Sequence, residues 1–486
     1  MTALRSGRAV VNITPPIGLY LTGFGGRAGP AQGVHDELYA KAAVISDGRS
    51  DLAIVTMDLL GLDMDVVNAI YEGTESLGIP AKNTLLCASH THSGPATITL
   101  RGLGDRDENY VKSIEKKIIG AINEAYANRQ DSILKVGKSR CDISVNRRKM
   151  TKDGKIILGE NPLGPIDQAV TTIMFESQNR KTILFNYACH PVVLGAANLL
   201  VSADYPGYAA ATIERTIKGS VAMFIQGCCG NINSKIVGGT FEDAERLGNT
   251  LGKEAITALE RSELEEFFTL KSSVRKLELP LQELPSEEEI EKERTECLKN
   301  LESAKQRNEL GIIKLWQGLL EWADAAAELV RKGKRNLTQE IQLQVIRIGD
   351  VAIVAIPGEP FVEIALEIKA RSKFKHTVVA GYSNGCIGYM PTPEAIEQGG
   401  YEVNSAYKFY DIAPLAPSAF NMIVDTAVQL CDEVYSIIIG NLPYSSRYIG
   451  DIFLRKELIT RKGDYFLQGS LSIRTISFLV LDFLAI

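Results

Sequence analysis

Short apolar runs of strand length recur through this chain, and several end on a side chain capable of acid, base or metal chemistry. Ala43-Val44-Ile45 and Leu52-Ala53-Ile54-Val55 flank the polar turn Asp47-Gly48, which predicts a hairpin whose second strand delivers Asp58. Thr84-Leu85-Leu86-Cys87-Ala88 runs into Ser89-His90-Thr91-His92-Ser93-Gly94-Pro95. Residues 171–175 and 182–187 form a further predicted pair, the second leading to His190-Pro191, and 222–225 ends in the turn Gly227-Cys228-Cys229-Gly230-Asn231. Residues 341–348 and 351–356, joined by Gly349-Asp350, predict a hairpin that ends at Pro357-Gly358-Glu359. Helical spacing falls between these runs, at 110–127, 360–370 and 420–437. Strands alternating with helices predict an α/β (mixed α+β) fold, with one large domain over residues 1–440.

Two of the five histidines sit in the His90-Thr91-His92 pair. In an extended segment alternate side chains share a face, so both imidazoles are expected on one side, with Gly94-Pro95 ending the strand. Two imidazoles at a strand end make half of a metal site or an acid/base pair; the alternative is a pair of partly buried polar residues near a turn. His190 reads as a further ligand or as a satisfied core histidine, and Glu359 as a ligand or as the cap of a helix starting near Pro360. Three imidazoles and a carboxylate suit Zn2+, which takes nitrogen and oxygen ligands. Asp58 and Asp204 read as caps or as groups that orient histidines, His35-Asp36 as support, and His376 as a surface residue.

Composition narrows the class. With 45% hydrophobic and 23% charged residues and a net charge of -6, the chain has an ordinary globular profile, and without a basic stripe nucleic acid is excluded as the expected partner. Eight cysteines without a C-x-x-C, most of them in apolar runs, read as free buried thiols in a reducing, cytoplasmic setting. No long apolar segment follows the first arginines, so no secretory signal is expected. Residues 284–334 read as an inserted helical hairpin: Ser286-Glu287-Glu288-Glu289 opens it, Ile312, Trp316, Leu319, Ala323, Ala326 and Val330 form a narrow apolar stripe, and Gly333 stops it. Residues 441–486 form an atypical tail beginning Asn441-Leu442-Pro443. Its apolar end, 476–486, is far short of the ~20 residues of a membrane span. It reads as a non-native remnant, with membrane-surface contact the alternative.

Several of these pieces fall in a telling order: Asn12-Ile13-Thr14-Pro15-Pro16-Ile17-Gly18, Gly33-Val34-His35-Asp36-Glu37-Leu38-Tyr39-Ala40, the H-T-H-S-G-P run at His90, Asn146-Arg147, Cys189-His190-Pro191, Ser202-Ala203-Asp204-Tyr205-Pro206-Gly207, Gln226-Gly227-Cys228-Cys229-Gly230-Asn231-Ile232-Asn233, Pro357-Gly358-Glu359 and Gly388-Tyr389. In these the chain resembles the neutral/alkaline non-lysosomal ceramidase family, in particular shorter members without a second, immunoglobulin-like domain. The resemblance implies zinc-dependent hydrolysis of an amide, with His90, His190, Glu359 and Tyr389 as ligands. It also implies His92 as a proton shuttle to the leaving amine, Tyr401 as a donor to the developing oxyanion, Arg147 at the site, and residues 227–233 as a loop presenting backbone N–H groups. One departure stands out. The ceramidases place a serine in that loop, whereas the aligned position here is Asn233, with Ser234 one residue later. Either Ser234 takes that role or this branch works without the serine, with Asn233 in its place at the site. The expected substrate is an N-acyl lipid, an N-acyl amino sugar or another small amide, with ceramide itself less favoured. An ester or lactone hydrolase on the same zinc site and a non-catalytic binding protein are the alternatives. Oligomeric state is not indicated.

Overall fold

A computed structural model describes residues 4–265 and 268–435. The tail from 441 lies outside the described residues.

Three mixed sheets share one construction. In the first, Arg5–Asn12, Tyr39–Ser46 and Asp51–Met57 run antiparallel, and Asp51–Met57 then pairs in parallel with Thr84–Ala88. In the second, Ile133–Arg140, Ala169–Glu176 and Lys181–Tyr187 are antiparallel, and Lys181–Tyr187 pairs in parallel with Ser220–Gln226. In the third, Leu270–Pro280, Thr338–Ile348 and Val351–Ala355 are antiparallel, and Val351–Ala355 pairs in parallel with His376–Ala380. A parallel pair needs a crossover, and each has a helix in it: Met64–Glu75, Asp204–Thr216 and Val362–Arg371.

The strands Asp51–Met57, Thr84–Ala88, Lys181–Tyr187 and Val351–Ala355 are buried on both faces, which explains their apolar runs. Alternate residues face two cores. Ile45, Ile54, Leu85, Ile173, Phe175, Leu184, Ile225, Ile346, Ile353 and Val378 meet in one cluster, so the three sheets turn their inner faces to a common centre. The opposite faces carry helices: Val44 and Val55 against Ile70 and Ile118, Ile183 and Phe185 against Ile213 and Leu251, Val345 and Val354 against Ile368 and Ile423. Burying a Val, Leu, Ile or Phe side chain is worth about 1.5–3 kcal/mol, so the arrangement is held mainly by these three helix layers and the shared centre.

The hairpin expectations hold: Asp51 pairs with Ser46, and Gly48 and Gly349 take the left-handed conformations (φ 77° and 63°) their tight turns require. The inserted helical hairpin is present as Glu287–Gln306 and Leu310–Arg331, opened by a Ser286/Glu289 capping box and closed at Gly333 (φ 64°). Its buried stripe differs from expectation. Gly311, Gly318, Trp322, Ala323 and Ala326 are the buried positions, while Ile312, Trp316, Leu319 and Val330 are only half-buried. The reason is close approach: a Cβ at Gly311 or Gly318 would strike the backbone of Arg27 or Arg101. The helix therefore lies on glycines against two loops, and Trp322 fills the core of the hairpin, its indole N–H donating to the Ile412 carbonyl at 2.9 Å.

Candidate active site

The C-terminal ends of the three parallel pairs come together. His90 follows Thr84–Ala88, His190 follows Lys181–Tyr187, and Glu359 follows Val351–Ala355. The His90 Nε2 lies 3.2 Å from His190 Nε2 and 3.4 Å from Glu359 Oε2, and His190 Nε2 lies 3.2 Å from the same oxygen. His92 Nε2 is 3.3 Å from His90 Nε2. All four side chains are at most 8% exposed.

The His-x-His pair converges by a route other than strand alternation. The strand ends at Ala88, and His90 takes a left-handed conformation with φ 67°. That conformation costs a non-glycine residue about 1–2 kcal/mol. It is held by the His90 N–H on the Leu59 carbonyl (2.8 Å) and by the ring Nδ1–H on the Leu60 carbonyl (2.8 Å). His190 likewise donates from Nδ1 to the Cys229 carbonyl at 2.6 Å. A carbonyl only accepts, so both rings carry their proton on Nδ1 and turn a bare Nε2 lone pair inward. Two such lone pairs 3.2 Å apart, with a carboxylate between them, form a cluster of electron-pair donors of the kind that holds a cation.

Electrostatics agree. Burial alone would raise the Glu359 carboxyl, whereas positive charge at the adjoining His90 and His190 would draw it well below its usual range, the direction a cation held there would also impose. Burial, and then the Arg147 charge, push His190 down to about 4. Burial and the neighbouring imidazoles push His92 far below its usual value, so at neutral pH it is a base. Its Nδ1 is buried with no hydrogen-bond partner among the described residues, and Gly23 packs directly on the ring.

Around this cluster lie the other expected residues. Arg147 pairs with Glu402 (2.8 Å), reaches the Asn233 side-chain oxygen (3.3 Å) and lies beneath the Tyr389 ring, its Cζ 5.3 Å from the centroid. Tyr389 is joined to Glu359 through strand pairing and stands edge-on to Tyr401, at 6.0 Å between centroids. Ser234 points away from Asn233: its hydroxyl donates to the Ile236 carbonyl at 2.5 Å. Adjacent strand residues face opposite ways, so the one-residue offset takes the hydroxyl out of the site. In the 227–233 loop the N–H groups of Gly227, Gly230 and Ile232 are donated to the carbonyls of Tyr187, Pro360 and Cys229.

Some residues lie elsewhere. Asp58 accepts the Tyr39 N–H at 2.9 Å and lines a separate cavity with Lys41, Ser89 and Tyr208. Asp204 accepts the N–H groups of Leu194 and Tyr205, tying down the loop that follows His190. His35 stacks on Phe241 at 3.6 Å. His376 is a correction: it is buried at 7% exposure, in the first position of the edge strand His376–Ala380, and burial pushes it down to about 4. Glu359 does not cap the following helix, whose N-cap is Phe361. Two tyrosines enter that sequence reasoning missed. Tyr410 donates a short hydrogen bond to Glu359 Oε1, and Tyr382 lies 3.4 Å from Oε2. Tyr382 stands two residues beyond the strand His376–Ala380, as His90 stands two beyond Thr84–Ala88; Tyr410 carried no signal.

Comparison with known proteins decides the family. A family model described as neutral/alkaline non-lysosomal ceramidase, N-terminal, matches residues 5–254, just over half the chain. The chain belongs to the neutral/alkaline non-lysosomal ceramidase family. Its similarity to the neutral ceramidase of Pseudomonas aeruginosa is 22% identity over 89% of this chain and 75% of that protein; to the neutral ceramidase of Mycobacterium tuberculosis it is 22% over 83% and 74%. The crystal structure of the Pseudomonas enzyme superposes with a TM-score of 0.63 at 20% identity, and a ceramidase complexed with C2 with 0.66 at 19%, each over 89% of this chain and 75% of the other. The mixed α/β fold of the ceramidase family, expected from the sequence, is thus observed.

Proposed function

We propose that this ceramidase-family protein is a zinc-dependent amidohydrolase that cleaves a linear N-acyl amide with water activated at the metal. The observation that carries the reading is the set of donor spacings. Ligands about 2.0–2.1 Å from a tetrahedral zinc stand roughly 3.3–3.4 Å from one another. The three separations among His90, His190 and Glu359 given above run from 3.2 to 3.4 Å. His90, His190 and Glu359 would hold the ion, with Tyr389 as the fourth ligand. Zinc supplies Lewis acidity there, polarising the scissile carbonyl and acidifying water.

The chain's own residues do the remainder. His92, neutral and desolvated, takes a proton from the attacking water and returns it to the leaving amine. Tyr401 donates to the oxygen on which charge develops, a contact worth ~3 kcal/mol. Arg147 is fixed by Glu402 and holds the Asn233 side chain where ceramidases have serine. Tyr410 anchors the second Glu359 oxygen.

The relatives are named ceramidases, which favours a lipid amide over a soluble peptide; Asn233 favours an N-acyl amide other than ceramide, such as an N-acyl lipid or N-acyl amino sugar. A cytoplasmic setting belongs to the same reading: all eight cysteines are free and seven are buried, which suits a reducing compartment. Among the described residues no helix is long and apolar enough to cross a membrane. We assign catalysis to residues 1–440 and leave 441–486 outside it. The test is metal analysis joined to a substrate screen. About one zinc per chain, absent from His90→Ala, with amide hydrolysis abolished by chelator, is the expected result. Esters or lactones cleaved in preference to amides would move the assignment to an esterase, and wild-type protein without zinc affinity would overturn it.

A further inference from the structure

The two histidines that the proposed function assigns to the metal belong to different sheets. Among the described residues no backbone hydrogen bond joins the stretch 88–91 to 188–191. One side chain does. Gln226, fully buried at the end of Ser220–Gln226, donates from its amide nitrogen to the Ser89 carbonyl (3.0 Å) and to the Cys189 carbonyl (2.9 Å). Each carbonyl belongs to the residue immediately before a cluster histidine. The amide oxygen accepts the Gly227 N–H (3.1 Å) and the Cys189 N–H (3.4 Å). The Gln226 backbone carbonyl accepts the Gly381 N–H at 3.1 Å, next to Tyr382, whose hydroxyl meets Glu359. A glutamine amide has two donors and two acceptor sites, and all four are used.

We infer that Gln226 is a positioning residue that sets the separation of His90 and His190, and so the affinity and geometry of the metal site. This rests on the zinc reading of the previous subsection. The physical argument is one of stiffness. Each histidine ring is locked by its Nδ1 hydrogen bond to the loop that follows the parallel partner of its own strand, so each ring is fixed to the end of its own sheet and the distance between the two Nε2 atoms follows the distance between those sheet ends. Those ends come from separate sheets with independent twist. A planar NH2 group holding both carbonyls at hydrogen-bond length removes that freedom. Groups that orient metal ligands from outside the coordination sphere typically contribute about 10–100-fold to metal affinity.

The experiment uses the full chain. Gln226→Glu keeps the shape and removes both donors; Gln226→Met keeps the bulk and removes the polar group. Zinc affinity is measured by competition with a chromogenic chelator, and the d–d absorption of the cobalt(II)-substituted protein reports ligand geometry. Folding is checked by circular dichroism. The expected result is a folded variant with zinc affinity about 10–100-fold weaker and a shifted cobalt spectrum. A folded variant with wild-type affinity and spectrum overturns the inference. So does failure of both variants to fold, since Gln226 would then serve the fold as a whole and not the spacing of two ligands. A wild-type chain that binds neither metal refutes the zinc reading instead, which keeps the two failures apart.

Discussion

A methyl group added at Gly23 tests the placement of His92 without touching any proposed metal ligand. Gly23 sits at φ 97°, and a Cβ built on it would lie 2.5 Å from His92 Nδ1, 2.7 Å from Cγ and 3.0 Å from Leu60 Cδ1. Non-bonded heavy atoms are comfortable at about 3.5 Å, so the imidazole must retreat by roughly 1 Å. Leu60 and Phe24, the latter 4.8 Å from the ring between centroids, limit where it can go. The left-handed backbone adds about 1–2 kcal/mol for alanine, within reach of a protein of this size. A 1 Å misplacement of a catalytic group can cost about 100-fold in rate. Gly23→Ala should therefore fold, and kcat/KM for the N-acyl substrate should fall about 100-fold. Zinc content separates two roles for His92. One retained equivalent places His92 outside the ligand set, with Tyr389 as fourth ligand. A parallel loss of zinc affinity, with Tyr389→Phe unaffected, makes His92 the fourth ligand. A folded Gly23→Ala protein with wild-type kcat/KM would refute the assignment of proton transfer to His92.

Two further perturbations follow from buried charge. Glu402 is 2% exposed and pairs with both Arg147 (2.8 Å) and Arg148 (2.9 Å), so Glu402→Gln leaves two buried guanidinium groups without a carboxylate and should cost about 3–5 kcal/mol in chemical denaturation. Burial raises the Asp204 carboxyl from 3.8 to about 7. A raised folded-state value means that its stabilising contribution is complete below about pH 4 and is lost as pH rises through 7. Wild-type protein should thus lose up to about 4 kcal/mol from this group over that interval, and the loss should be absent in Asp204→Asn when the two stability–pH curves are compared.

How much was legible in the sequence depends on what kind of physics each residue obeys. Runs such as Thr84-Leu85-Leu86-Cys87-Ala88 are apolar on both faces, and that pattern alone marks a strand buried between two layers. The turns at Gly48 and Gly349, the capping box at Ser286 and the stop at Gly333 follow equally from local conformational energy. His376 was misread because its neighbours Lys375 and Thr377 look like surface, whereas strand pairing with Val351 buries it. The helical stripe was misread for a related reason: apolar periodicity locates a hydrophobic face, but close approach of a loop selects the glycines.

Local sequence pattern therefore determined the elements, their order and the chemistry waiting at their ends: His90, His92, His190 and Glu359 each follow a run that forms a strand almost regardless of context. Only the tertiary structure decided that these ends meet. That meeting depends on three sheets sharing one core, on the left-handed turn at His90 and on the Gln226 amide between two strand ends, none of which has a signature in its own neighbourhood. Propensity and periodicity act over a few residues, whereas a cluster assembled from positions 100 or more residues apart is set by packing, which a linear pattern does not encode.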